Sequence, residues 1–491
     1  MGDERRRRGR EQDESADALS FSARFPHGNI CAFPVNFAGE ERVNQSKQRA
    51  HYTLFILFAI NLLNFYDRYI PGALAEPIRK QWALTDSQLG WLTFAFTALY
   101  AVVGVPLGRW ADRGKRSQIL AWGVAAWSLL TAASGVAWNY GSLFAARLGV
   151  GVGEAACAPA SNSLIGDLYP AAQRARALAF FMLGLPLGGF LGTYVSGHVA
   201  AAYGWRMAFY LGCVPGLLLT IPIMRLPDPP RGAAESLPLT GLPVEHSSFW
   251  ASCWAVLKIP SIRWIAVTGA LYNANMYTIA AFLPAYLHRY HVLEQKQSTT
   301  IAAILYGVSG VLGLLLGGWA ADRIAAVRAN GRLLVCAASA ILMAFWTFLA
   351  LNHSPGQTAL FVVLMTAGCT AGYVYYASVY ATIQDLVPPS LRGTAMAIYF
   401  LAMYALGGSY GPVLAGKLSD HFAKEAMAAA GASALNEHFK AVGLHSAMYM
   451  IPVCSALLAV FVLCAARTVP RDMSELHGRM SPSESASIVE T

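Results

Sequence analysis

Gly108-Arg-Trp-Ala-Asp112-Arg113 is repeated 210 residues later as Gly318-Trp-Ala-Ala-Asp322-Arg323. A second pattern repeats in the same order: Asp167-Leu-Tyr-Pro170 with Arg174, Ala177 and Ala179 returns 218 residues on as Asp385-Leu-Val-Pro388 with Arg392, Ala395 and Ala397. Two signatures at nearly one offset mark a duplicated unit. Each signature closes an apolar run, so the unit is a set of membrane spans. The whole chain fits that reading, being 56% hydrophobic and only 13% charged over 491 residues. A span needs about 20 mostly apolar residues to cross a hydrocarbon core of ~30 Å. Runs of that kind begin at Tyr52 and then near Ser87, Ser117, Ser142, Ala177, Trp205, Trp264, Thr300, Leu333, Thr358, Thr394 and Leu444. Twelve spans are expected.

A formal charge of +9 would suit a nucleic-acid binder if it lay on one soluble domain. It is instead distributed over alternate loops, through Arg109, Arg113, Lys115 and Arg116, then Arg174 and Arg176, then Arg323, Arg328 and Arg332. The loops around Trp138–Gly141 and Asn352–Gly356 have neither Lys nor Arg. The positive-inside rule therefore puts both termini in the cytoplasm of a plasma or inner membrane, with Lys80, Arg289 and Lys296 as exceptions. The eight cysteines lie mostly within spans without CxxC spacing and read as small packing residues, not as metal ligands. No apolar segment follows the Arg5–Arg8 run before Tyr52, so no cleaved signal peptide is expected.

These features predict a cytoplasmic tail over 1–50, a six-helix half over 51–225 and a cytoplasmic linker over 226–262. A second six-helix half follows over 263–468 and a tail over 469–491. Within the linker, Phe249 to Lys258 predicts a short helix at the headgroups. Asp420–Gly443 is polar and Ala-rich, either an extension of span eleven or an outer surface segment.

The loop motif Gly108–Arg116 resembles that of the major facilitator superfamily, one residue short between Arg113 and Lys115. Arg147-Leu-Gly-Val-Gly151-Val-Gly153-Glu154-Ala155 is similar to its span-four motif, and Gly184-Leu-Pro186-Leu-Gly188-Gly189 to its span-five motif. The resemblance covers roughly residues 50–468. It implies an all-α membrane protein of twelve transmembrane helices, two six-helix halves around a central cavity, working without a cofactor as a monomer. Gly108, Asp112, Arg113, Asp322 and Arg323 are then candidates for a cytoplasmic gate, since a carboxylate and arginines at a helix end can bridge to the other half. The plainer alternative is that they anchor topology.

Ionisable groups inside a span cost a few kcal/mol each, about 2.5–3.5 on insertion scales, and only spans one and four carry them. Asp67 and Arg68 follow Asn64-Phe65-Tyr66; Arg147 and Glu154 lie seven residues apart, two turns on one face. Spans one and four both face the cavity in the resembled fold. Asp67, Arg147 and Glu154 would then form a column able to pass a proton, with a static ion pair as the alternative. No Asp, Glu, Lys or Arg is expected inside the spans of the second half. Tyr272, Asn273, Asn275 and Tyr277 of span seven, with Tyr373, Tyr376 and Tyr380 of span ten, are the candidate lining instead, opposite Asn64.

The span-one run, the Gly-Val-Gly-Glu-Ala of span four and Leu164 to Pro170 together resemble the Spinster branch. That resemblance implies a lysolipid or sphingoid-phosphate substrate, with Arg68 or Arg147 meeting the phosphate. Asn-x-x-Asp-Arg is also similar to organic-anion symporters, which take sugar acids or carboxylates. Expected partners are thus an amphipathic or anionic small molecule, protons and membrane lipids, not nucleic acid. An enzyme is not expected, because no nucleophile, base and oxyanion donors assemble. Gly407-Gly-Ser-Tyr-Gly411 and Gly151 to Ala156 match hydrolase and dinucleotide patterns, but neither follows a strand, and close helix packing explains both. His198, inside a span, reads as a satisfied interior histidine.

Overall fold

The computed structural model describes residues 37–230, 233, 249–388 and 391–480; within them the side chains of 37–47, 105, 108, 109, 111–113, 171, 172, 175, 249 and 477–480 are outside the description. Two compact units divide the chain, Met1–Arg49 and Ala50–Thr491. Of the first, residues 37–49 are helical, and the rest of the tail expected there lies outside the described residues. So do 231–232 and 234–248 of the linker and the last eleven residues.

The second unit holds the spans and, among the described residues, no strand. Span one completes the helix Phe37–Ala73 and is followed by a short helix, Ala75–Trp82. Spans two and three are Asp86–Arg113 and Arg116–Val136; span four is Tyr140–Glu154 continued by Cys157–Leu168. Span five is Ala171–Met182 with Gly184–Tyr203, and span six is Trp205–Met224. A short helix, Phe249–Leu257, precedes span seven, Pro260–Arg289, then Gln295–Ala325, Gly331–Leu351 and Thr358–Asp385. Span eleven is Arg392–Ala402, a π-helical turn Met403–Gly408, and Ser409–Ala429; span twelve is Glu437–Met448 with Met450–Met480.

The breaks in spans four and five have a common cause. Pro159 and Pro186 have no N–H for the carbonyls of Ala155 and Met182, the residues at which the helices part. The helix of span twelve continues past 468 to Met480. Of the two alternatives for the Asp420–Gly443 stretch, its first part extends span eleven, which runs on to Ala429 because Ala-rich sequence favours helix. Span eleven contains Lys417, Asp420, Lys424 and Glu425 toward its end, against the expectation of no Asp, Glu, Lys or Arg inside the spans of the second half.

By length and composition, nine of the described segments are apolar enough to cross a membrane. The three spans missing from that set are one, four and seven. These are the ones with polar groups at mid-length: Asn64, Asp67 and Arg68; Arg147 and Glu154; Asn273 and Asn275. Span four is also divided into helices of 15 and 12 residues, each too short to cross alone.

We call the membrane face where span one begins proximal and the opposite face distal. The apolar core has three parts. One belongs to the first half alone and includes Leu57, Leu120, Leu164 and Phe181. Another belongs to the second half alone, with Ile262, Val379 and Leu458. The third is shared, joining Ile70, Leu74 and Ile78 to Phe282, Tyr286 and Leu305. Its residues from spans one and seven all lie toward the distal ends of those helices. The halves therefore fuse distally.

Close helix approach depends on residues without a side chain. A Cβ on Gly72 would stand 2.1 Å from the Ala280 carbonyl oxygen, so spans one and seven cross backbone to backbone. Within the first half, a Cβ on Gly188 would meet the Leu62 carbonyl oxygen at 2.3 Å. Gly188→Ala is expected to destabilise the protein by about 1–3 kcal/mol, the usual cost of overpacking. A thermal melt in detergent with an unchanged midpoint would contradict that packing.

Candidate functional site

Asn64 and Arg68 are four residues apart on span one and share a face, while Asp67 is turned about 100° from Arg68. That offset sends neighbouring charges to different partners. Asp67 faces spans three and four: Thr131 Oγ1 donates to its Oδ1 at 2.9 Å and Arg147 Nη1 to its Oδ2 at 3.2 Å. Arg68 folds back toward the start of its helix, as helical side chains do, and its Nε donates to Glu154 Oε2 at 2.9 Å. Asn64 Nδ2 donates to the same oxygen at 2.7 Å. Glu154 is fully buried, and its Oε1 has no hydrogen-bond partner.

The column expected on span four is thus two separate pairs, Asp67–Arg147 and Arg68–Glu154. Phe96 of span two stands between them, 5.1 Å from the Arg68 guanidinium carbon and 5.5 Å from that of Arg147. Gly151 makes room for it, since a Cβ there would lie 2.4 Å from the Phe96 carbonyl oxygen. Arg68 also lies over Phe65 at 4.8 Å, Tyr100 at 4.4 Å and Tyr404 at 5.8 Å. Its Nη1 reaches the second half, donating to Tyr277 Oη at 3.3 Å and Tyr404 Oη at 3.4 Å. One guanidinium therefore joins a buried acid of the first half to two phenols of the second.

Arg68 borders a pocket between the halves, lined from the first by Phe65, Tyr69 and Thr93 and from the second by Tyr277, Tyr373, Tyr376 and Tyr404. Of the expected lining, Tyr277, Tyr373 and Tyr376 are there. Five residues are not, because successive helical positions turn by about 100°; Asn64 is the one already placed on Glu154. Tyr272 stacks on Tyr375 at 4.2 Å. Asn273 donates to the Met403 carbonyl, and Asn275 faces span twelve, donating to Ser455 Oγ at 3.0 Å. Tyr380 packs on Tyr376, Tyr399 and Phe400. Tyr69, Tyr100 and Tyr404 had not been expected. His198 Nδ1 donates to the Tyr194 carbonyl of its own helix at 2.8 Å.

The distal end is sealed by buried charges from both halves. Arg289, closing span seven, grips Asp86 of span two through two bonds of 2.8 Å and also pairs with Glu76. Arg79 pairs with Glu76 at 3.0 Å and with Glu437 of span twelve at 2.6 Å. The side chains of Arg289, Glu76, Asp86 and Arg79 are at most 5% exposed. Asp420 of span eleven accepts from the backbone N–H groups of Asp86 and Ser87 at 3.0 and 2.9 Å, a carboxylate seated on the positive end of span two. The sequence reading missed this cluster, although Arg289 was already an exception to the charge rule.

At the proximal end, pairs close within each half. Arg116 binds Asp167 and, at 2.7 Å, Asp228; its counterpart Arg332 binds Asp385. The duplicated aspartates thus have duplicated arginine partners. Of the candidate gate, the side chains of Gly108, Asp112 and Arg113 lie outside the described residues. Asp322 is exposed, 4.0 Å from Arg332 of its own half, and Arg323 lies over Trp319 at 4.9 Å.

Residues 57–412 match the sequence profile of the Major Facilitator Superfamily. Protein spinster homolog 1 of Xenopus laevis is 31% identical over 398 residues, covering 77% of this chain and 74% of that protein. An MFS-type efflux pump of Mycolicibacterium smegmatis is 30% identical over 375 residues, 76% of this chain and 85% of the pump. Among solved structures, a bacterial homolog of the human lysosomal transporter Spinster, inward-facing and unoccupied, superposes with a TM-score of 0.75 at 26% identity, covering 86% of this chain and 98% of that one. Two duplicated six-span halves, a charged span-one and span-four pair and these likenesses agree: the chain belongs to the major facilitator superfamily, in its Spinster branch.

Proposed function

We propose that the protein is a proton-coupled transporter of an amphipathic anion, a lysophospholipid or sphingoid phosphate, working by alternating access as a monomer. Glu154 carries the reading. Its Oε2 receives two donors while its buried Oε1 receives none, and a bare carboxylate oxygen in a dry site is where a proton binds. Protonation would free Arg68, a cation bordering the pocket, for a phosphate headgroup. The tyrosines beside it offer apolar faces to the first carbons of a tail and hydroxyls to the glycerol or sphingoid oxygens. Asp67, with both oxygens partnered, would instead be the fixed post that orients Arg147.

The family of efflux and Spinster proteins and the amphipathic character of the pocket support this substrate class. In the same reading the proximal face is cytoplasmic, in a plasma or inner membrane, and the cavity opens there. Gly108, Asp112, Arg113, Asp322 and Arg323 close that face when the distal cluster parts.

Thermal stability of the purified protein tests the substrate. A lysophosphatidylethanolamine at 100 times its dissociation constant should stabilise by about 2.7 kcal/mol, above any effect of a phosphate-free detergent of equal tail length. Stabilisation by glucuronate and none by the lysolipid would make the protein an organic-anion symporter.

A further inference from the structure

Among the described residues the chain has one π-helical turn, Met403–Gly408 in span eleven. Such turns insert one residue into a helix and rotate its remaining length by about 100°. This one contains Tyr404, whose hydroxyl is 3.4 Å from Arg68 Nη1. The Met403 carbonyl opens this turn, and a donor from another span meets it there: Asn273 Nδ2 donates to it at 3.1 Å. The Oδ1 of Asn273 has no partner, so that carbonyl is what holds the amide. On the other side, Ser409 Oγ donates to the Tyr404 carbonyl at 2.9 Å and receives Thr97 Oγ1 of span two at 3.0 Å. Gly407 fits because a Cβ would lie 2.0 Å from the Ala270 carbonyl oxygen.

We propose that Asn273 is a positioning residue which, by bonding the Met403 carbonyl, keeps span eleven in its π-helical register and so holds Tyr404 against the Arg68–Glu154 pair. Through it, the second half sets how firmly Arg68 holds Glu154. The inference rests on the proton-carrying role given to Glu154, and its test separates the two.

Full-length protein in nanodiscs is treated with a hydrophobic carbodiimide, which modifies protonated buried carboxyls, and Glu154 modification is read by peptide mass spectrometry at pH 7. Asn273→Leu and Tyr404→Phe should each raise modification about three- to tenfold, the factor one lost hydrogen bond represents. The double variant should add nothing further. Ser409→Ala, which loosens the same turn, should act in the same direction, and it serves if Asn273→Leu does not fold. Asn275→Leu, whose partner is span twelve, should leave modification at the wild-type level. If wild-type Glu154 is never modified from pH 5 to 9, the proton role falls and this inference with it. If wild-type Glu154 is modified and Tyr404→Phe raises it, while Asn273→Leu and Ser409→Ala only lower the melting temperature, the proton role stands and the positioning role is overturned.

Discussion

Glu154→Gln should abolish the response of transport to an imposed pH gradient while leaving exchange without a gradient in place. Glutamine keeps an acceptor for Arg68 Nε and for Asn64, the two donors that meet Glu154 Oε2 at 2.9 and 2.7 Å. It cannot take up a proton on the other atom. The gradient-driven rate of a fluorescent lysophospholipid in proteoliposomes should therefore fall about 5- to 150-fold, the span of ordinary coupling free energies. Exchange of labelled for unlabelled lipid should change far less. Asp67→Asn separates the two charge pairs, because it strips the counter-charge from Arg147, a side chain 2% exposed. Its main effect should be on stability. Gradient-driven transport at the wild-type rate in Glu154→Gln would remove the proton from this site altogether.

Arg289→Ala should have the largest effect on the balance between conformations. Two acids, Glu76 and Asp86, would remain at the distal seal with side chains 3% and 5% exposed, and Arg79 reaches only the first. Breaking one partner from a buried ion pair typically costs about 3–5 kcal/mol. The cost falls on the distally closed state alone, because opening that face wets both carboxylates. A shift of that size changes the ratio of the two states by about 150- to 4000-fold. The check is a single cysteine at Thr93, a pocket residue, probed with a membrane-impermeant thiol reagent from either face. In the parent the distal reagent should be excluded, and in Arg289→Ala it should react. Exclusion in both would mean that apolar packing, not charge, keeps this end shut.

Much of the architecture was legible because membrane insertion leaves few ways to write a span. The repeated Asp112 and Asp322 loops fixed the duplication, and most helix starts fell within a few residues of those read from hydropathy. The four buried charges were legible for the same reason, since an ion in hydrocarbon stands out. Their pairing was not. Spacing placed Arg147 and Glu154 on one face, but the choice of partner depends on Arg68 reaching back along its helix and on Phe96 filling the space between the pairs. The distal cluster went unread because Glu76, Arg79 and Asp86 lie at helix ends, where charge is ordinary. Only the misplaced Arg289 hinted at it. In the tyrosine runs, composition identified the right helices, yet Tyr272 and Tyr277 differ by five positions and face different neighbours. Gly407 and Gly408 were read as tight packing, which holds, but no sequence pattern announced the extra residue in that turn.

The wiring of span one also bears on how the chain is made. Its two ionised side chains find their partners 80 and 86 residues later, so when the ribosome first delivers this segment nothing in the bilayer can neutralise them. At roughly 2.5–3.5 kcal/mol each, the pair makes a poor passenger for solitary partitioning into lipid. Span one is therefore expected to stay beside the insertion channel until span four arrives, so that the two settle together. On that expectation the front half commits to the bilayer only after residue 154 has emerged.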